Sequence, residues 1–149
     1  MIDSLTNNLR QIVRIARTGH EFFVSVYPRI DDPQVRMAFA YLIEVKAQLV
    51  ADLNAWLPPA DPADGAHTPV AAAVEQIYAY ADAYWYIRGD TPTACAHELG
   101  HGEAQLLQLV QRALALARQP ALRDLLGAVC SQLVICRESL WRLRMPAAA

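Results

Sequence analysis

PQVRMAFAYLIEVKAQLVADLNAW, residues 33–56, decides the fold. Val35, Phe39, Leu42, Lys46, Leu49, Leu53 and Trp56 recur along it in a 4-3-4-3 rhythm, which puts all seven side chains on one face of an α-helix. Pro33 suits the first helical turn, where its missing N–H costs nothing, and Asp32 before it can act as the N-cap. A helix over 33–57 follows. Just upstream, Leu5, Leu9, Ile12, Ala16, His20, Phe23 and Tyr27 mark a second stripe and predict a helix over 3–27. Asp3 or Ser4 can cap it, Pro28 with Asp31 and Asp32 ends it, and the two helices should form a hairpin.

Downstream, residues 58–68 hold Pro58, Pro59, Pro62 and Gly65 and read as a linker. Thr68-Pro69 opens a helix over 69–87. Tyr78, Tyr80, Tyr84 and Tyr86 alternate in twos as in a strand, but the interleaved alanines favour a helix and no other segment offers a strand to pair with. Thr91-Pro92 opens a helix over 92–118, whose stripe is Leu99, Leu106, Val110, Leu114 and Ala117, with Glu103 on the same line. Pro120 starts the last helix, 120–144, with Leu122, Leu126, Val129, Leu133, Cys136, Leu140 and Leu143 in step. The expected architecture is one all-α domain, 1–149: an antiparallel four-helix bundle with an additional linking helix.

Apolar residues make up 54% of the 149 and charged residues only 19%, so more burial than a monomer's core is expected, and with it a homo-oligomer. A net charge of −2 without a basic stretch argues against nucleic acid. No apolar run approaches the roughly 18 residues of a membrane span. Met1-Ile2-Asp3-Ser4 lacks the charged and apolar regions of a leader. Cys95, Cys130 and Cys136 have no C-x-x-C spacing and suit reduced thiols in the cytoplasm.

His97-Glu98-Leu99-Gly100-His101 spells H-E-x-x-H. In a zinc peptidase two histidines four apart on a helix share the metal, and the glutamate activates a bound water. The stripe of this helix, however, centres between Leu99 and Leu106, which turns His97 and His101 onto the polar side with Gln108, Gln111 and Arg112. No sheet and no third ligand accompany the motif, so an exposed histidine pair is the favoured reading. Glu98 and His101 also form E-x-x-H, the spacing of di-metal carboxylate bundles, which need such a pair on two helices and a glutamate on each of the others.

His20, Lys46 and Glu103 each fall on a core register of their own helix. A buried charge needs a partner, so a Lys46–Glu103 pair with His20 beside it is the expected core polar cluster. As a metal site it offers one carboxylate and one imidazole against a repelling ammonium. Tyr78, Tyr84 and Trp85 make an aromatic surface of the kind that packs an oligomer interface.

Three stretches resemble an uncharacterised bacterial family of ferritin-like four-helix-bundle proteins, a domain of unknown function. They are Arg17 to Phe23 with Asp31-Asp32-Pro33, Phe39 to Leu53 with Lys46 where arginine is usual, and Gly102-Glu103-Ala104 through Leu114 followed by Pro120 to Leu143. The resemblance implies a cytoplasmic, often oligomeric ferritin-like bundle. His20 stands where an acidic residue is expected and the second helix lacks E-x-x-H, so an ancestral di-iron centre would be lost here. Three functions follow as expectations. The first is a non-catalytic bundle acting through self-association or a protein partner, with no cofactor. The second is a ferritin-like protein binding iron or manganese at His20 and Glu103, helped by Glu98 and His101. The third is a zinc peptidase with His97 and His101 as ligands and Glu98 as base.

Overall fold

The computed structural model of the chain describes residues 4–59, 69–88 and 92–144; the side chains of residues 69, 70, 80, 82–88, 92–95, 97 and 144 are outside that description. Among the described residues there are five α-helices and no strand: α1 (Ser4–Val26), α2 (Pro33–Asn54), α3 (Pro69–Arg88), α4 (Pro92–Leu116) and α5 (Pro120–Arg144). The alternating tyrosines therefore lie on a helix. Residues 60–68 of the expected linker lie outside the described residues.

The α1–α2 turn is set by local chemistry. A 3₁₀ turn over Tyr27–Arg29 follows α1, and Asp32 then caps α2 by accepting from the backbone N–H of Gln34 at 2.8 Å and of Val35 at 3.4 Å. Arg36 reaches back, donating to the Ile30 carbonyl at 2.9 Å while its guanidinium lies 4.5 Å from the centre of the Tyr27 ring. At the other hairpin, Arg123 of α5 donates to the carbonyls of Leu114 and Ala117 at 2.9 Å each, satisfying acceptors left open where α4 ends. Helix α2 stops at Asn54 rather than at 57, and Trp56 and Leu57 continue in a turn that bonds back to Leu53 and Asn54.

Packing closes four of the helices into a ring: α1 against α2, α2 against α5, α5 against α4, and α4 against α1. Helix α3 lies over the seam between α1 and α4. The interior is built from Ile12, Phe23, Phe39, Leu42, Leu49, Leu106, Leu126 and Leu133, all essentially without exposure. Each such side chain contributes about 1.5–3 kcal/mol relative to leaving it in water. Phe23 and Phe39 meet edge to face at 4.8 Å between ring centres and tie α1 to α2.

The α1 stripe departs from expectation in its second half. Leu9, Ile12, Ala16, Gly19, Phe23, Val26 and Ile30 face the core, so the rhythm steps from Ala16 to Gly19 rather than to His20. His20 and Tyr27 are consequently only partly buried. The physical reason is that Gly19 fills its core position with a neighbour's atoms. A Cβ there would sit 2.6 Å from the Tyr78 hydroxyl oxygen and 3.0 Å from Lys46 Cδ.

Candidate functional site

Gly19 is the opening through which α3 reaches the interior. Tyr78 passes over it, stacks near Phe22 and Phe23 at 5.4 and 6.0 Å between ring centres, and is buried. Its hydroxyl donates to Glu103 Oε1 over a long 3.4 Å. The same oxygen lies 2.6 Å from Lys46 Nζ, and both charged side chains have 0% exposure. Lys46 Nζ also sits 5.8 Å from the centre of the Phe23 ring. Lys46 and Glu103 thus form a buried ion pair, and Glu103 Oε2 has no hydrogen-bond partner. The interior thus holds a lysine from α2, a tyrosine from α3 and a glutamate from α4, with Gly19 of α1 making the room.

Electrostatics follow from that enclosure. Burial alone would lower the Lys46 pKa, but the Glu103 carboxylate beside it more than reverses this and the ammonium is held above its usual range. Burial raises the Tyr78 phenol, and the charge of Glu103 raises it further against the opposing pull of Lys46. Cys136 on α5, buried on the core stripe, is pushed up to about 12 by burial first and by Glu103 second. Its thiol is therefore protonated and unreactive at neutral pH. The arrangement fixes a proton on each of Lys46, Tyr78 and Cys136.

The expected cluster is corrected in one member and the expected interface in another. Tyr78, assigned to an oligomer surface by its place in an aromatic helix, is instead buried and joins Lys46 and Glu103 in the core. His20 remains on the half-buried edge of α1. The other two surface candidates, Tyr84 and Trp85, lie on α3 with their side chains outside the described residues. The hydropathy pattern does not mark Tyr78, because the room it fills is made by Gly19, a residue without a side chain.

The two faces of α4 separate the remaining metal candidates. Leu99, Glu103 and Leu106 point inward, whereas Glu98 and His101 are exposed. The helix therefore keeps Glu103 apart from Glu98 and His101. The side chain of His97 is outside the described residues. Among the described residues, no group of three or more His, Cys, Asp or Glu side chains gathers closely enough to hold a metal ion. Nor is any described helix long and apolar enough to cross a membrane.

One surface feature lies off the helical stripes. Met37 of α2 is 76% exposed and Ile135 of α5 is 49% exposed, and together with Ala38, Tyr41 and Leu143 they line a groove between the two helices. Gln34, Ser139 and Arg142 form its polar edge. Neither Met37 nor Ile135 sits on a core stripe, so periodicity passes over both. No family model, curated protein or solved structure matches this chain.

Proposed function

We propose that the chain is a ferritin-like antiparallel four-helix bundle formed by α1, α2, α4 and α5, with α3 as the additional helix. In this reading it acts without catalysis in the cytoplasm, through self-association or a protein partner. The buried Lys46–Glu103 pair carries the reading. A di-metal bundle directs several carboxylates and imidazoles into its centre. Here an ammonium occupies the centre, commits the one inward carboxylate among the described residues and repels a cation, and apolar side chains seal the pair from solvent. The chemistry of this chain is then left to its surface. The apolar groove of Met37 and Ile135, edged by polar groups, has the make-up of a contact surface. The sequence adds Tyr84 and Trp85 of α3 as a second candidate.

Sedimentation velocity on the tag-free chain tests this, together with its metal content after purification without added metal. The expected result is a mass at least twice that of the 16.5 kDa chain, returned to the monomer by Met37→Glu with Ile135→Glu, and no stoichiometric metal. Retained iron, manganese or zinc at one or more per chain would overturn the reading. So would a monomer at every concentration that also captures no partner. Tyr84→Ala with Trp85→Ala tells which surface is used.

A further inference from the structure

The end of the molecule opposite the α1–α2 turn holds a recess of about 500 Å³, within the range of small-molecule sites. Its wall is mixed, with an apolar side made by Leu5 and Leu9 from the start of α1, Trp56 after α2, Leu116 at the end of α4 and Leu122 at the start of α5. Leu9 and Leu122 are buried and form the floor, while Leu116 is 44% exposed at the mouth. Three polar residues border it, Arg118, Thr6 and Gln119. None of the lining residues is acidic, and the first turn of α5 contains no acid either. Arg118 has no carboxylate partner among the described residues.

We propose that this recess binds a medium-chain carboxylate, with the alkyl chain against Leu9, Trp56 and Leu122 and the headgroup on Arg118. A cleft whose lining is part apolar and part polar, with one cation and no acid among its lining residues, suits an amphipathic anion. The apolar wall takes up the chain by the hydrophobic effect, and the planar guanidinium matches the two carboxylate oxygens. The hydroxyl of Thr6 and the amide of Gln119 can donate to the same oxygens. A fully polar anion would leave the wall wet, and an alkylammonium would meet Arg118 as a like charge. The site is independent of the association surface, since it lies on other residues and at the helix ends.

Calorimetric titration of the full chain with octanoate tests the proposal, with octan-1-ol and octylammonium as probes of the headgroup. One octanoate per chain is expected, with each added methylene, from hexanoate to decanoate, tightening binding about fourfold. The alcohol should bind at least about tenfold more weakly, the value of a charge-assisted contact. Arg118→Gln, on an exposed residue between helices, should weaken octanoate by a similar factor and leave the alcohol unchanged. Thr6→Trp, which fills the mouth from a partly exposed position, should abolish both. Absence of octanoate binding up to millimolar concentration would overturn the proposal. Equal binding of acid, alcohol and amine would reduce the recess to an apolar sink and overturn it too. Undiminished binding in Arg118→Gln would do the same, and these ligand comparisons need no variant that could misfold.

Discussion

Glu98 and Glu103 lie five residues apart on α4, and they lead opposite lives. Glu98 belongs to a widely known metal motif and stands in solvent; Glu103 belongs to no motif and is sealed in the core against Lys46. The motif draws the eye to the outward face, while the free energy of the molecule rests on the inward one. Burial decides this. A carboxylate in water interacts weakly with whatever passes, whereas one removed from water is costly unless a partner and hydrogen bonds hold it. Reading a helix by its short motif alone therefore ranks its residues in the wrong order.

The sharpest way to break the contrast is to remove one half of the inward pair. Lys46→Met leaves Glu103 buried and unpaired, and Glu103→Leu leaves Lys46 so; each should cost about 3–5 kcal/mol. For a chain of this length that is a fall of roughly 10 °C or more in thermal midpoint. The double variant, with a dry and apolar interior, should regain most of the loss or exceed wild type. Calorimetry on the three variants settles it. Equal midpoints for the single variants and wild type would mean that the pair is not sealed from water.

The inward side also makes a prediction in pH. Cys136, Tyr78 and Lys46 all have native pKa values raised above their ordinary 9.0, 10.0 and 10.5. The native state therefore keeps these three protons after the unfolded chain has begun to lose them. The stability they contribute is complete below about pH 9 and is lost as pH rises towards the native values. From Cys136 alone the loss is about 1.4 kcal/mol per pH unit above 9, and with the onset of the other two it reaches about 2 kcal/mol by pH 10. Urea unfolding followed from pH 7 to 10 checks this, and Cys136→Ala should flatten the first part of the decline. A stability independent of pH over that range would count against the enclosure.

How far the sequence could be read depended on what each position left in the hydropathy pattern. The all-helical class was legible, because α2, α4 and α5 place leucine and valine on strict stripes and prolines stand where those helices begin. The pairing of Lys46 with Glu103 could be read from the same stripes, as two charges on core registers. Tyr78 could not, because its inward position depends on a missing side chain. Gly19 adds nothing to an apolar periodicity, so the pattern runs on through His20. Gly19→Ala examines that point directly. The added methyl meets the Tyr78 hydroxyl at 2.6 Å and ring carbon Cζ at 2.9 Å, both parts of a rigid buried ring. Overpacking should outweigh the gain in helix propensity and destabilise by about 1–2 kcal/mol. Gly127→Ala on α5, where nothing lies within 4 Å of the new methyl, should instead stabilise by about 0.5–1 kcal/mol. If both glycines respond alike, helix propensity rather than the passage of Tyr78 explains Gly19.

The smallest effect is expected on the outward face. Glu98→Gln and His101→Ala alter exposed side chains away from the core, where substitutions usually change stability by less than about 0.5 kcal/mol. Both variants should melt with wild type, in the presence of chelator and of equimolar zinc alike. Zinc binding at a real site would stabilise the native state in proportion to the logarithm of metal over dissociation constant, so even micromolar affinity would raise the melting point at high micromolar zinc. A zinc-dependent rise that disappears in His101→Ala would turn the comparison round. It would make α4 a helix with consequences on both faces, with His101 as a ligand. With no such rise, the outward motif is a coincidence of spacing, and the carboxylate that matters on α4 is the one that no motif marks.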